Sequence, residues 1–316
     1  MQSDSILFFG ASVTHQSTHT GYFQKLHGNQ RHNFCRLSYP SSQLFNAGFY
    51  NVNKIFDGEN KPNIVFLEWS TTSESSYDLD VLSYILAQIL KNHAVPVFLI
   101  LPTKANIETT RDSESMLVEL SDSHAIPILD LRYLVHKIPL DELLHDGVHT
   151  TELGATLYAN EILNFLDSFS FDDRSLMKNI DSKEYLLQSY KGDFLLEQGN
   201  LLKLTYVQVS TFSEISISHL VGPFSPIIEY LVEGEVIWEH SFLDPWCRYA
   251  RENFTTLVPS FILSSAPHGI TLRISDKAPD FSIVLKSDTP YLGPKKLDIA
   301  TLYTCNLVGT EILIIK

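Results

Sequence analysis

Three side chains in this sequence could do acyl chemistry together: a serine hydroxyl and a carboxylate–imidazole pair. Ser12 lies in Phe8-Phe9-Gly10-Ala11-Ser12-Val13-Thr14, and the pair lies in His145-Asp146-Gly147-Val148-His149-Thr150-Thr151. A serine hydroxyl ionises far above pH 7, so it becomes a nucleophile only beside a base. Histidine titrates near the working pH, and a neighbouring carboxylate fixes its tautomer and stabilises the imidazolium. Asp146 and His149 stand three residues apart, a spacing that lets one carboxylate reach one imidazole. Taken singly, Ser12 is an ordinary turn serine and the other two are ordinary loop residues. Taken together they suit cleavage or transfer of an acyl group.

The elements that must position them are legible as alternating patterns. Residues 5–9, 33–39, 64–68, 96–101 and 126–130 are short and almost continuously apolar, as strands buried on both faces of a parallel sheet are. Between them, residues 21–27, 43–56, 79–92 and 111–124 suit helices, and a last helix is expected over 151–169. Asp78 stands where an N-cap belongs. This alternation predicts βαβ units. In such a sheet reacting groups collect beyond the carboxyl ends of the strands. Ser12 falls there, at the N-terminus of the next helix, where free N–H groups face an incoming oxyanion.

The pattern changes after about residue 175. Residues 201–210, 214–219, 227–231, 236–240, 269–274, 281–286, 298–305 and 310–315 read as strands, separated by Gly- and Pro-containing turns. The expected organisation is an α/β domain over 1–175 and an all-β sandwich over 176–316, with the junction between Ser170 and Tyr190.

The Gly-x-Ser-x-Thr block around Ser12 and the Asp-x-x-His block before the last helix resemble those of the SGNH/GDSL hydrolases. The resemblance spans roughly residues 5–170. It implies a flavodoxin-like α/β/α three-layer domain, with Ser12 as nucleophile, His149 as base and Asp146 as its orienting acid. Members mostly cleave esters, often acetyl groups on carbohydrate, and some transfer the acyl group instead. Two further blocks depart from the family pattern. After the second strand, in Ser38-Tyr39-Pro40-Ser41-Ser42, Ser41 (or Ser42) stands where an oxyanion-hole glycine is expected, and Gly48 is a weaker candidate. After the third strand, in Glu68-Trp69-Ser70-Thr71-Thr72-Ser73-Glu74, Thr72 takes the place of an oxyanion-donating asparagine. The implied oxyanion hole is therefore Ser12, Ser41 and Thr72. Glu68 and Trp69 are expected at the mouth of the site, either shaping a substrate pocket or serving as a locally paired carboxylate and a packing indole.

Composition excludes several partners. Acidic residues outnumber basic ones, 37 to 23, for a net charge of −14, which disfavours nucleic acid and anionic membrane surfaces. Three scattered cysteines, Cys35, Cys247 and Cys305, form neither a disulfide framework nor a C-x-x-C metal site. No stretch is apolar enough to cross a bilayer, and residues 1–5 lack the features of a signal peptide, so a cytoplasmic protein is expected. The pairs His15/His19 and His145/His149 are each four apart and would share a helix face. Gly147 argues against a helix at the second pair and no third ligand is evident, so neither a metal nor a cofactor is expected. In the C-terminal half Trp238, Trp246, Tyr249, Arg248 and Arg251 suit either sugar stacking or core packing. The leading reading is a serine esterase acting on acylated, especially O-acetylated, carbohydrate or another small ester. A carbohydrate O-acyltransferase and a degenerate glycan-binding protein are the alternatives.

Overall fold

The computed structural model describes residues 4–72, 77–169, 180–245, 247–284 and 291–316. Ser73, Glu74, Trp246 and the end of the expected strand 281–286 lie outside them. The chain divides into two compact units, Met1–Glu184 and Tyr185–Lys316.

The first unit is built on a parallel sheet of β1 (Ser5–Gly10), β2 (Asn33–Ser38), β3 (Ile64–Glu68), β4 (Val95–Ile100) and β5 (Ile128–Asp130), in the order β2-β1-β3-β4-β5. Successive residues of β1 point to opposite faces, and both faces are filled. Phe8 stacks on Phe66 and meets Tyr22 and Phe23 edge-on, while Phe9 meets Tyr39 and Trp69. That two-sided burial is why these strands carry no polar alternation. The helices Tyr22–His27 and Glu152–Ser168 pack against each other and join the Phe8 side of the core. Asp78 caps the helix Leu79–Lys91 through the N–H groups of Asp80 and Val81, and Thr151 caps Glu152–Ser168 through Gly154 N–H.

Register places the site. Gly10 pairs with Ser38 on one side and with Glu68 on the other, so β1, β2 and β3 end level with one another. The segments that follow them leave the sheet side by side. One expected helix is broken: residues 43–56 form a π turn at Leu44–Gly48, a short α segment at Phe49–Asn51 and a 3-10 turn at Val52–Phe56. The Asn46 carboxamide starts the break by accepting from the Gln43 and Ala47 N–H groups, a competition with the helix ladder that asparagine favours.

The second unit holds two antiparallel sheets. One orders β10 (Glu235–Ser241), β9 (Ile227–Val232), β12 (Gly269–Ile274), β7 (Leu201–Gln208) and β14 (Leu307–Ile315). The other orders β11 (Arg251–Val258), β8 (Glu214–Val221), β13 (Lys296–Cys305) and β6 (Leu187–Glu197). Their inward residues, Leu202, Leu204, Tyr230 and Leu272 from the first and Leu196, Ile215, Ile217 and Leu302 from the second, share one apolar cluster. The expected strand over 281–286 begins instead as a 3-10 turn, Phe281–Ile283, nucleated by the Asp280 carboxylate on Ser282 N–H. Strands β6 and β11 are additions to the sequence reading: Lys191, Gly192 and Asp193 interrupt the apolar pattern of one, and Arg251, Glu252 and Asn253 open the other. Trp238 is half-buried against Tyr230 and Phe261, whereas Tyr249 is exposed beneath the Arg248 guanidinium. His219 is buried between strands, and burial pulls its imidazole down to about 3. Among the described residues, no helix is long and apolar enough to cross a membrane.

Candidate active site

Ser12 opens a four-residue helix, Ser12–His15, directly after β1. The chain turns there because Ala11 N–H donates to the Glu68 carbonyl at 3.1 Å, fastening the end of β1 to the end of β3. Gly10 makes that approach possible: a Cβ at this position would stand 2.5 Å from the Glu68 carbonyl oxygen and 2.7 Å from Thr14 Oγ1. Ser12 is half-buried, and its N–H, in the first turn of the helix, has no intrahelical acceptor.

Asp146 and His149 are joined. Asp146 Oδ2 accepts from His149 Nδ1 at 2.8 Å, while Oδ1 accepts from the N–H groups of His149 at 2.8 Å and Val148 at 3.1 Å. Gly147, at φ +87°, supplies the left-handed residue that lets the loop fold back onto its own carboxylate. Burial works to raise the Asp146 carboxyl. The hydrogen bonds from His149 and Val148 outweigh it and hold the group below the usual carboxylate range. The pair is thus an ionised acid on the side of the ring that keeps Nε2 free to act as the base.

The loop is closed by an antiparallel bridge between Leu144 and Thr150 and hooked to the segment behind Ser12. Gln16 Nε2 donates to the Thr150 carbonyl at 3.1 Å, and the Thr150 hydroxyl donates to the Thr20 carbonyl at 2.5 Å. The residue after His149 is therefore tied to the residue four beyond Ser12. Among the described residues no hydrogen bond joins the Ser12 hydroxyl to the His149 ring.

Ser41 is exposed and adopts φ +58°. A serine here holds the left-handed conformation that glycine takes without strain, at the position where the family resemblance expects glycine. Gly48 is buried inside the π turn, where a Cβ would crowd Leu44 and the Trp69 ring. Thr72 forms a local turn: its N–H and its hydroxyl both donate to the Trp69 carbonyl, at 3.1 and 2.8 Å. Its own carbonyl accepts from Arg111 Nη1 at 2.7 Å, and the Ser70 carbonyl accepts from Arg111 Nη2. Glu114, fully buried, holds that guanidinium through Nε at 2.9 Å. Arg111, which the sequence reading missed, clamps the turn that carries Thr72. Its only signal is the Arg-Asp-Ser-Glu run, in which Glu114 also caps the helix through Arg111 N–H.

Glu68 and Trp69 lie inside the unit, at 0% and 3% exposure. Glu68 Oε2 accepts from Thr14 Oγ1 at 2.9 Å and Oε1 from Thr71 Oγ1 at 2.7 Å. Burial raises its carboxyl to about 7 against those two donors. Thr14 also meets the Tyr22 hydroxyl at 2.7 Å. One carboxyl group thus links the helix that carries Ser12 to the turn that carries Thr72. The Trp69 indole packs edge-on against Phe9, and its Nε1 has no hydrogen-bond partner.

His15 and His19 do not share a helix face, since the helix ends at His15, and His15 Nδ1 lies 3.1 Å from Ser38 Oγ. His145, Asp146 and His149 place one ligand atom each within 4.8 Å of one another.

No protein-family model and no curated protein matches the chain. Solved structures do. An SGNH-hydrolase family esterase, AlinE4, is 16% identical and matches 53% of this chain and 96% of its own, with a TM-score of 0.39. The psychrotrophic esterase EstA from Pseudoalteromonas sp. is 12% identical over 52% of this chain and 97% of its own, with a TM-score of 0.40. A two-domain esterase (CEX) active on acetylated mannans is 13% identical but covers 96% of this chain and 91% of its own, with a TM-score of 0.65. Over nearly its whole length, this chain has the fold of a two-domain esterase.

Proposed function

We propose that the chain is a serine esterase of SGNH type acting on O-acetylated carbohydrate, with a three-layer α/β/α catalytic domain followed by a β-sandwich. The observation that carries the reading is the Asp146–His149 pair, closed at 2.8 Å and hooked through Thr150 and Gln16 to the helix that Ser12 begins. The two-domain architecture shared with an esterase active on acetylated mannans supports the substrate class.

In this mechanism His149 Nε2 takes the Ser12 proton as Oγ attacks the acetyl carbonyl, while Asp146 keeps the other ring proton on Nδ1 and balances the imidazolium. The oxyanion is received by the backbone N–H groups of Ser12 and Ser41; Thr72 stands at the third position with its N–H and hydroxyl both donating to the Trp69 carbonyl. His149 then protonates the departing sugar oxygen. Water, deprotonated by the same nitrogen, releases acetate from Ser12. The mechanism does not require a standing Ser12–His149 hydrogen bond, because catalytic contacts often close only around substrate.

The test is labelling by a serine-directed fluorophosphonate, with mass spectrometry to locate the adduct, together with hydrolysis of p-nitrophenyl acetate and acetylated mannan. Expected is a single adduct on Ser12 and acetate release that disappears in Ser12→Ala. An unlabelled Ser12 with no acetate release would overturn the reading. Acetyl groups diverted to an added sugar acceptor would redirect it to acyl transfer.

A further inference from the structure

His145 has no part in the proposed reaction, yet its ring stands beside the acid–base pair. It stacks on His149 with centroids 5.9 Å apart and planes 29° apart. Its Nδ1 lies 3.3 Å from the Thr150 carbonyl, and a carbonyl can only accept. That contact therefore assigns the ring proton to Nδ1 and leaves a lone pair on Nε2. Nε2 in turn lies 3.7 Å from Asp146 Oδ2, the oxygen that also accepts from His149 Nδ1. A neutral His145 thus presents a lone pair to an ionised carboxylate. Two acceptors facing each other call for a proton or a cation between them.

We infer that His145, Asp146 and His149 form a binding site for a zinc-type divalent cation, and that its occupation shuts the esterase off. The inference rests on the proposed roles of Asp146 and His149 for its inhibitory half only. The donor set, two imidazoles and one carboxylate, suits a borderline cation. Tetrahedral zinc with ligands at about 2.0–2.2 Å holds them roughly 3.4 Å apart. Two of the three separations, 2.8 Å from Oδ2 to His149 Nδ1 and 3.7 Å to His145 Nε2, bracket that value, and all three ligand atoms lie within 4.8 Å of one another. The Thr150 carbonyl on His145 Nδ1 is the outer partner that zinc-bound imidazoles ordinarily have. All three side chains are open to solvent, at 54%, 44% and 33% exposure for His145, Asp146 and His149, so an ion needs no channel, and water can complete the fourth position.

The inhibition follows from proton bookkeeping. In the unliganded pair the His149 proton sits on Nδ1, facing Asp146, and Nε2 carries the lone pair that accepts from Ser12. A cation takes the Nδ1 lone pair, so the ring's one proton moves to Nε2. No charge is created or lost on the ring, but Nε2 can no longer accept. The nucleophile loses its base while substrate access is untouched. Inhibition therefore lowers kcat and leaves KM in place.

The experiment is a calorimetric titration of the full chain with Zn²⁺ at neutral pH, for the native sequence and His145→Ala, with acetate release measured in parallel. Native protein is expected to bind one Zn²⁺, with affinity falling at least about tenfold in His145→Ala. That variant should keep its basal turnover and become correspondingly insensitive to Zn²⁺. Binding that is absent, or unchanged in His145→Ala, overturns the site. Binding that depends on His145 but leaves the rate untouched overturns the inhibition. A chain with no esterase activity but His145-dependent binding would sink the functional reading and leave the metal site standing.

Discussion

In the proposed mechanism the 144–150 loop would work through side chains, whereas the turn after β2 would work through its backbone. Asp146 and His149 are specified atom by atom: one carboxylate holds two N–H groups and a ring nitrogen at 2.8–3.1 Å. Ser41 departs from the glycine of the family pattern and yet keeps a glycine-like φ of +58°. An oxyanion needs an aimed N–H, which any non-proline residue owns, so such a turn can accept another side chain as long as its path holds. Thr72 is the intermediate case. An asparagine amide reaches outward, but the Thr72 hydroxyl is committed to the Trp69 carbonyl.

The contrast predicts very unequal sensitivities. Ser12→Ala and Asp146→Asn should each lower kcat about 10⁴-fold or more, the second without unfolding the loop, since a side-chain oxygen remains to accept from the Val148 and His149 N–H groups. Acetate release and thermal melting, measured together, separate the two effects. An Asp146→Asn enzyme retaining a tenth of native activity would break the comparison at its stronger end.

Glu68 sits under both halves, taking one hydrogen bond from Thr14 and one from Thr71, and it sharpens the comparison through stability. Its carboxyl is raised from 4.5 to about 7 in the folded chain. Between those values the folded state binds the extra proton, so this group's contribution to stability is greatest in acid and is lost as pH rises through about 7. The total is on the order of 3 kcal/mol. Glu68→Gln should remove that slope, as read from urea unfolding at pH 5 and pH 8. A native protein and a Glu68→Gln variant with the same pH dependence would refute the buried, near-neutral carboxyl.

Thr72→Asn tests the intermediate case. Restoring an amide at this place should raise kcat about tenfold, part of the 10²–10³ that one oxyanion donor is worth. Unchanged turnover would mean that the turn, clamped by Arg111 on the Ser70 and Thr72 carbonyls, aims its side chain elsewhere.

What could be read from sequence follows the same division. Strand β3 was readable residue for residue because a strand buried on both faces is an unbroken apolar run, and the Asp146–His149 contact was readable because the two types stand three residues apart. Strand β11 was not: it is an edge strand whose opening Arg251-Glu252-Asn253 looks like a loop. The single helix expected over 43–56 was broken by one carboxamide, Asn46, competing for backbone donors. The burial of Glu68 was hidden as well, because the hydroxyls that satisfy it come from Thr14, 54 positions away, and from Thr71. Nothing local marks a carboxylate whose partners are brought by the sheet.

Ser41 is the smallest effect and the most direct probe of a backbone donor. A left-handed serine costs about 1 kcal/mol relative to glycine, and the residue is exposed, so its side chain contributes little in return. Ser41→Gly should therefore raise stability by about 1 kcal/mol, visible as a higher melting temperature, with kcat unchanged because the N–H stays in place. Ser41→Val carries the opposite expectation: its β-branched side chain resists positive φ, so the turn swings out and both stability and kcat fall. A Ser41→Gly variant that loses turnover while gaining stability would show that the serine hydroxyl, not the peptide N–H, receives the oxyanion. The two halves of the site would then rest equally on side chains.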